Sequence, residues 1–260
     1  MPIITLTTDF GNDNYYLGVL RGYFAAHCPE ANIIELTHHI QAFNIAQAAF
    51  VLKNAFRFFP EGTIHLVAVY AEETEDSPYI VMKYDNHYFI GADNGIFGLI
   101  CEGAAQSVVK IDPEKLQSTG QLSFPELSVL APAACKLAKD KTTSALGNYS
   151  SVQKRISLMP THSENEICGA VIYIDTYSNV FTNISRELFE KVRKGRNFTI
   201  YVNSKFNQVS KISQTYSDVM VGDLVALFNS VNLLEIAIHK GPAAQLFNLD
   251  TKSTIRVNFE

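Results

Sequence analysis

The sequence predicts an α/β protein: a mostly parallel sheet with helices on both faces, followed by a smaller, all-β, barrel-like domain. Strand-like and helix-like patterns alternate in the first part of the chain, which is typical of a parallel sheet covered by helices. The run Thr63–Tyr70 is almost continuously apolar, as in a strand buried on both faces. Further on, short strands alternate with turn residues, which indicates a barrel or sandwich. We therefore predict domains at 1–145 and 165–260, joined by a polar linker at 146–164.

The elements of the first domain follow from hydrophobic periodicity and from turn residues. The predicted strands are Ile3–Thr7, Asn32–Leu36, Thr63–Tyr70, Ile80–Lys83, Tyr88–Gly91 and Ser107–Ile111. The predicted helices are Tyr16–Ala26, Phe43–Phe59 and Leu130–Ala138. Pro60-Glu61-Gly62 ends the second helix, and Asp85-Asn86 marks a hairpin between two of the strands.

The second domain is predicted from strands that turn residues separate at short intervals. These strands are Gly169–Asp175, Phe198–Val202, Lys205–Gln208, Asp223–Asn229, Leu233–Ile238 and Ser253–Val257. The segment Ser185–Gly195 fits a helix. A domain of this kind is all-β except for that helix.

Composition excludes several classes of function. A hydrophobic content of 47% with 18% charged residues indicates a packed globular protein. The net charge of -5 argues against nucleic acid or an anionic membrane as a partner. The amino terminus does not resemble a secretion signal, and no apolar run is long enough to span a bilayer. The 4 cysteines are scattered without metal-ligand spacing, so we expect reduced thiols, no metal site and a cytoplasmic location.

The opening run Ile3-Ile4-Thr5-Leu6-Thr7-Thr8-Asp9-Phe10-Gly11 delivers a carboxylate to the end of a buried strand. Open α/β sheets bind ligands at that edge, and a carboxylate there can accept two hydrogen bonds from a ribose diol. Asp and Gly are also ordinary residues of turns at strand ends. The motif by itself supports both interpretations equally.

Other polar turns also have two interpretations. Asp93 and Asn94 follow a strand and either face a ligand or form a tight strand-to-helix turn. The run Asp175 through Asn179 offers polar groups around an aromatic ring, which suits a ligand with an apolar face, although turn chemistry explains its Asp and Asn. Ser230 either holds a carboxylate or belongs to a hairpin.

Several short motifs, in their order along the chain, are more specific together than any one alone. They are Thr7-Thr8-Asp9-Phe10-Gly11, Tyr16-Leu17-Gly18, Leu36-Thr37-His38, Phe58-Phe59-Pro60-Glu61-Gly62-Thr63, Asp93-Asn94-Gly95, Asp175 through Asn179 and Glu235-Ile236-Ala237. With these motifs the chain resembles the S-adenosylmethionine hydroxide adenosyltransferases, relatives of the fluorinases and chlorinases, over essentially its whole length. The resemblance implies a homotrimer that binds S-adenosylmethionine as substrate or ligand, without a further cofactor. The site would lie between the first domain of one subunit and the second domain of its neighbour.

The resemblance also implies roles for the residues that match the family's motifs. Asp9 would bind the ribose hydroxyls, and Phe43 would line the ribose side of the pocket. The other implied ligand-binding residues are Tyr177 and Tyr216 around the adenine, Asp175 and Asn179 for the methionine amino group and the base, Ser230 for the methionine carboxylate, and Tyr70 and Phe124 near the reacting centre. Val231 stands where the halogenases have an arginine, so the carboxylate would be held less firmly.

The chain departs from the family at the reacting centre. Members that attack with water follow the central strand with Asp-Pro-Gly-Val-Gly-Ser-Glu-Arg-Arg, whereas this chain has Tyr-Ala-Glu-Glu-Thr-Glu-Asp-Ser-Pro. The family's aspartate, arginine and histidine become Tyr70, Ser77 and Pro125. The three residues that hold and polarise the water in the family are therefore replaced.

Glu73 or Glu126 is the predicted replacement, with Tyr70 as a further catalytic candidate. Attack on the ribose 5′-carbon releases a neutral thioether, so the leaving group needs no acid, but an attacking water must lose a proton. A desolvated glutamate can accept that proton near neutral pH. A carboxylate also repels halide, which disfavours halogenation. The alternative is that the acidic run 72–76 is a solvated loop.

These residues leave three hypotheses for the function of the chain. The first is hydrolysis of S-adenosylmethionine to adenosine and methionine. The second is a protein that binds the nucleoside but has lost catalysis. The third is adenosyl transfer to a nucleophile other than water.

Overall fold

The computed structural model describes residues 1–116 and 123–260. The chain divides into two compact units, residues 1–156 and residues 157–260. Among the described residues, no helix combines the length and the apolar character that crossing a membrane requires.

The first unit alternates strands and helices as the sequence predicts. Its elements are β1 (Ile3–Thr8), α1 (Tyr16–His27), β2 (Asn32–Thr37), α2 (Ile45–Ala55), β3 (Ile64–Ala68), β4 (Tyr79–Tyr84), β5 (His87–Ala92), α3 (Ile96–Cys101), β6 (Ser107–Ile111), α4 (Ala131–Asp140) and β7 (Gly147–Tyr149). Short 3-10 turns occupy Phe56–Phe58 and Pro113–Lys115, and a π-helical turn at Glu126–Leu130 leads into α4.

The sheet of the first unit has the order β2-β1-β3-β5-β4-β6-β7. Its core is parallel, since β1 pairs in parallel with β2 and β3, and β3 pairs in parallel with β5. The hairpin partner β4 pairs antiparallel with β5 and β6, and the edge strand β7 pairs antiparallel with β6. The predicted mostly parallel sheet is therefore confirmed, and the carboxyl ends of β1, β3 and β5 meet at one edge.

Helices cover both faces of this sheet, because each face of a central parallel strand must be buried. Leu20 and Phe24 of α1 and Leu137 of α4 pack in one buried cluster with strand residues that include Ile4. On the opposite face, α2 and α3 contribute a second cluster around Leu52, Phe97 and Ile100. The continuously apolar β3 contributes to both clusters, which is why its sequence shows no alternation.

The second unit is a mostly antiparallel sheet with two short helices. Its elements are β8 (Thr161–His162), β9 (Glu166–Ile174), β10 (Val180–Ser185), α5 (Arg186–Arg193), β11 (Phe198–Val202), β12 (Ser204–Val209), β13 (Ile212–Ser213), β14 (Leu224–Phe228), β15 (Leu233–Ile238), α6 (Ala243–Leu246) and β16 (Thr254–Phe259). The strand order is β12-β11-β16-β9-β10-β15-β14-β13, and β12 also approaches β14, so the sheet is nearly closed. This confirms the predicted barrel-like domain.

Some element boundaries differ from the sequence prediction. The predicted helix Phe43–Phe59 begins only at Ile45, because Phe43 has a φ of 65° and the Asn44 side chain caps the helix by accepting a hydrogen bond from the amide of Gln47. Strand β10 was not predicted, since its polar residues obscure the alternation of buried positions. The predicted linker also contains the short strands β7 and β8.

A buried histidine pair lies inside the first unit. Nδ1 of His65 is 2.7 Å from the Thr5 hydroxyl, and its Nε2 is 3.2 Å from Nδ1 of His87. Burial and the neighbouring His87 lower the pKa of His65 to about 3. Burial also lowers the pKa of His87, so both rings are neutral at pH 7.

We expect the free energy of unfolding to fall as the pH decreases from about 6.5 toward 3. In this range the unfolded chain binds a proton at residue 65 that the folded chain does not, which contributes a slope of up to about 1.4 kcal/mol per pH unit. His65→Gln should flatten that slope in urea titrations at a series of pH values. The exposed His162→Gln is the control, and equal slopes in both variants would contradict the assignment.

Candidate functional site

Strand order brings polar and aromatic residues to one edge of the first sheet. Asp9 follows β1, Tyr70 follows β3, and Asp93 and Asn94 follow β5. Because these neighbouring strands are parallel, their carboxyl ends lie side by side. This edge of the sheet is the first part of the candidate site.

Asp9 joins two segments of this edge through one carboxylate oxygen. Its Oδ2 accepts hydrogen bonds from the backbone amide of Phe43 at 3.0 Å and from that of Tyr70 at 3.4 Å. Phe43 and Tyr70 have φ values of 65° and 47°, a conformation that costs a non-glycine residue about 1–3 kcal/mol. Their rings meet edge to face with centroids 5.5 Å apart, and both are exposed. The carboxylate therefore holds two strained aromatic residues on one surface.

The turn after Asp9 is fixed by a second network. The Phe10 amide donates to the Thr8 hydroxyl at 3.3 Å, and that hydroxyl is 3.0 Å from Nδ1 of the buried His38. The Gly11 amide donates to the His38 carbonyl at 2.8 Å. His38 is one residue of a motif noted in the sequence, but its link to Thr8 was not predicted. It orients the turn that carries Asp9.

Asp93 and Asn94 are engaged within the protein. The Asn94 amide donates to the carbonyls of Val69 and Tyr70 at 3.0 and 2.9 Å, which fixes the end of β3. Asp93 is buried, and its Oδ2 accepts from the Gln153 amide at 2.7 Å. The bonds of Asn94 fit the turn interpretation of this motif, whereas Oδ1 of Asp93 has no hydrogen-bond partner among the described residues.

Glu126 is a buried acid near the same edge. It is 7% exposed and begins the π-helical turn before α4. Burial raises its pKa to about 7, and the negative charge of Asp9 adds to the shift. Glu126 therefore gains or loses a proton near neutral pH, and it lies close enough to Asp9 for the Asp9 charge to affect its pKa.

Glu73 lies in a different environment. It is exposed, and its backbone amide donates to the hydroxyl of the buried Tyr79 at 3.1 Å. Burial raises the pKa of Tyr79 to about 12, with the charges of Glu73 and then Glu126 adding to the effect. Tyr79 is therefore a neutral hydroxyl that anchors the acidic run 72–76 near Glu126.

Phe124 has a packing role in the structure. Its ring centroid lies 6.2 Å from that of Phe10 and 5.1 Å from that of Tyr16. Phe10 and Tyr16 are themselves 5.6 Å apart, so the three rings form one cluster beside the Asp9 turn. The ligand role expected of Phe124 remains a prediction.

The second unit contains a pocket of about 640 Å³. It is lined by Asp175, Tyr177, Asn179, Tyr216, Ile238, His239, Lys240, Gly241 and Pro242. Four of the residues predicted to bind ligand therefore line one pocket. Asp175, Tyr177 and Asn179 come from the loop between β9 and β10, and Tyr216 comes from the 3-10 turn between β13 and β14.

Asp175 organises its own loop. Its Oδ1 accepts from the amides of Tyr177 at 2.9 Å and Asn179 at 2.8 Å, and its Oδ2 accepts from the Asn179 side chain at 3.1 Å. These bonds close a tight turn, in which Ser178 has a φ of 63°, and leave the Tyr177 ring 78% exposed. The structure shows the bonds that the turn interpretation predicts, and the ligand roles of this motif remain predictions.

Tyr216 is held at its hydroxyl, which donates to Oε1 of Glu235 at 2.6 Å. Glu235 is 0% exposed, and no role was predicted for it from the motif Glu235-Ile236-Ala237. An acid between apolar neighbours in the strand Leu233–Ile238 is the sequence signal that marks it.

Ser230 lies away from this pocket wall. It is exposed in the turn between β14 and β15 and does not line the 640 Å³ pocket. Asn229 shapes the turn by accepting from the amides of Val231 and Leu233, each at 3.1 Å. The role of Ser230 toward a carboxylate remains a prediction.

An α/β unit with a carboxylate at its parallel edge and a barrel-like unit with an aromatic pocket define a two-domain protein that binds a small molecule. The chain belongs to the S-adenosylmethionine hydroxide adenosyltransferase family. The family's amino-terminal domain matches residues 4–147, and its carboxyl-terminal domain matches residues 169–256.

Similar proteins cover nearly the whole chain. An (R)-S-adenosyl-L-methionine hydrolase from Methanocaldococcus jannaschii is 25% identical and covers 99% of this chain and 96% of its own. A fluorinase from Actinopolyspora mzabensis is 22% identical over 98% of this chain and 97% of its own. The crystal structure of a conserved protein from Thermotoga maritima has a TM-score of 0.86 at 27% identity, covering 99% of this chain and 100% of that one.

Asp9→Ala is expected to lower the free energy of unfolding by about 2–4 kcal/mol. The substitution removes an ionised acceptor from two amides whose residues then keep their left-handed strain uncompensated. Urea titration monitored by circular dichroism measures the change.

Asp9→Asn keeps one acceptor oxygen of the same size, so it serves as the matched control and should lose less than half as much stability. Equal stability of the Ala variant and the wild type would show that Asp9 does not hold the two segments.

Proposed function

We propose that this protein hydrolyses S-adenosylmethionine to adenosine and methionine by attack of water on the ribose 5′-carbon. Membership of the family and relatives named as (R)-S-adenosyl-L-methionine hydrolases support this reaction. The reaction needs no metal or cofactor, because the sulfonium leaves as a neutral thioether. What the protein must supply is an oriented water and an acceptor for its proton.

The observation that carries the proposal is the environment of Glu126. A carboxyl group that is 7% exposed, with a pKa raised to about 7 by burial, is ionised in part at neutral pH and is basic enough to accept a proton from water. Glu126 lies near Asp9, the residue proposed to bind the ribose hydroxyls through its other oxygen, Oδ1. The proton acceptor Glu126 and the ribose would then lie at the same edge of the sheet.

Glu126 is a better candidate for the base than Glu73. Glu73 is exposed, and hydration stabilises the charged form of an exposed carboxylate, which makes it a weak base. Glu126 is buried, and loss of hydration raises its pKa. We propose that Glu73 helps to hold the acidic loop through its backbone bond to Tyr79. Tyr70 and Phe43, fixed by Asp9, would form the wall that excludes competing water from the reacting carbon.

The pocket of the second unit suits the adenine and methionine portions. Tyr177 and Tyr216 present ring surface for stacking on a base. Asn179 donates its amide to Asp175, which leaves its carbonyl oxygen to accept from the adenine amino group. Asp175 and its negative charge would favour the methionine ammonium group, with Ser230 near the carboxylate.

We further propose a cytoplasmic homotrimer in which each site is shared between the first unit of one subunit and the second unit of its neighbour. The support is that both parts expose aromatic rings that a monomer would leave in water: Phe43 is 68% exposed and Tyr177 is 78% exposed. The free state of all the described cysteines is compatible with a reducing compartment.

Fluorinases among the relatives raise the question of halide as the nucleophile. Glu126 disfavours halide as the nucleophile, because an ionised buried carboxylate repels an anion that binds near it. Water is neutral and can donate a hydrogen bond to the Glu126 carboxylate, so Glu126 favours water over halide as the nucleophile.

Incubation of the purified protein with S-adenosylmethionine should release adenosine and methionine, measured by chromatography. Glu126→Gln should lower kcat by about a hundredfold or more, because the amide cannot accept the proton. With Glu126 as the base, kcat should fall as the pH decreases below about 7, where that carboxyl group becomes protonated.

Glu73→Gln is the control and should retain most of the activity. Loss of activity in this control with full activity in Glu126→Gln would reverse the assignment of the base. Tight binding of S-adenosylmethionine without any turnover by the wild type would leave a nucleoside-binding protein that has lost catalysis.

Sedimentation equilibrium should give a particle of three times the 28.9 kDa chain mass at micromolar concentration. The expectation follows from a site that is complete only when two subunits contribute to it. A stable monomer that turns over S-adenosylmethionine would contradict the shared site.

A further inference from the structure

We propose that Glu235 is a positioning residue of the nucleobase pocket, which acts by tethering the ring of Tyr216. This inference rests on the proposed function, since it concerns how the same site holds its base. Tyr216 lines the 640 Å³ pocket, whereas Glu235 lies beneath it and has no exposed surface. Glu235 therefore reaches a ligand only through the tyrosine.

The position of Glu235 in the sheet is one where an apolar residue is expected. It lies in the middle of β15, between β10 and β14, and pairs with Phe181 on one side and Leu227 on the other. Its chain neighbours Leu234 and Ile236 are also fully buried. Burying a carboxyl group in such surroundings costs several kcal/mol, so stability alone does not account for it.

The contacts of Glu235 point to Tyr216. Oε1 accepts from the Tyr216 hydroxyl at 2.6 Å, a short bond of the kind that an ionised acceptor makes. Oε2 has no hydrogen-bond partner among the described residues, and neither has Nδ2 of Asn229. Burial raises the pKa of Glu235, whereas the hydrogen bond from Tyr216 and, to a lesser extent, the Asn229 amide lower it.

Tyr216 is tethered at its other end as well. It begins a 3-10 turn that Thr215 and Asp218 close, with the Thr215 hydroxyl donating to Asp218 at 2.8 Å and the Gln214 amide donating to the same carboxylate at 2.8 Å. The backbone of Tyr216 and its hydroxyl are therefore both fixed. Among the residues that the structure describes, Tyr177 in contrast is hydrogen-bonded only through its backbone, and the residue is 78% exposed.

Because Tyr216 is fixed and Tyr177 is not, the two rings would contribute differently to binding of the base. A ring fixed at both ends presents a preformed face, so the base loses less freedom against it on binding. Tyr177 is more exposed and less constrained, so it would adjust to the base once the base is bound. Because the Tyr216 hydroxyl already donates to Glu235, it contributes ring surface to the ligand and no donor.

The test is a double-mutant cycle on adenosine binding, measured by isothermal titration calorimetry. Tyr216→Phe keeps the ring but removes the tether, and Glu235→Leu removes the acceptor. Each single variant should raise the Kd for adenosine by about fivefold to tenfold, the effect of one positioning hydrogen bond. The double variant should bind no more weakly than either single one, because both changes remove the same interaction.

Two further variants separate positioning from general stability. Glu235→Gln retains an acceptor for the hydroxyl and should bind adenosine within about twofold of the wild type. Thr182→Val removes a buried hydrogen bond to the Leu234 carbonyl, next to Glu235 in the chain, without touching Tyr216, and should leave the Kd unchanged. In turnover of S-adenosylmethionine, Tyr216→Phe should raise KM and leave kcat largely unchanged.

The outcomes distinguish this inference from the proposed function. Normal adenosine affinity in both Tyr216→Phe and Glu235→Leu, or effects that add in the double variant, would overturn the role of Glu235 while leaving the nucleoside site intact. Failure of the wild type to bind adenosine would overturn both. Should Glu235→Leu not fold, the Tyr216→Phe and Glu235→Gln pair still decides between tether and no tether.

Discussion

The arrangement of the first unit depends on one carboxylate. Oδ2 of Asp9 accepts from the amides of Phe43 and Tyr70, residues that are 34 and 61 positions away in the chain. Both donors have left-handed backbones, a strain that these hydrogen bonds offset. Asp9 therefore links the ends of β1 and β3 to the start of α2, and its second oxygen takes no part in these two bonds.

In the second unit an aspartate also accepts hydrogen bonds from backbone amides, but these amides belong to its own loop. Asp175 closes its own loop by accepting from Tyr177 and Asn179, and the exposed ring of Tyr177 is a consequence of that closed turn. In both units an aspartate at the end of a strand uses much of its hydrogen-bonding capacity on the backbone. At both positions these structural bonds fix the orientation of the carboxylate.

Two buried glutamates each cost the protein stability, because a carboxyl group loses hydration when it is buried. Glu126 and Glu235 are both buried, and burial raises the pKa of both. Perturbed groups of this kind cluster at functional sites. One lies near the carboxylate edge of the first unit and the other beneath the pocket of the second, so each part of the candidate site has its own buried acid.

The sequence by itself determined the alternation of strands and helices, the buried central strand β3 and the barrel-like second unit, because hydrophobic periodicity is a local property of the chain. The family motifs likewise pointed to Asp9, Tyr177 and Tyr216 one segment at a time. Only the tertiary structure decided that Phe43 starts no helix, that Glu126 rather than Glu73 is desolvated, and that Tyr216 meets Glu235. Burial and pairing between distant segments are not encoded in any short window, since they depend on which surfaces the folded chain brings together.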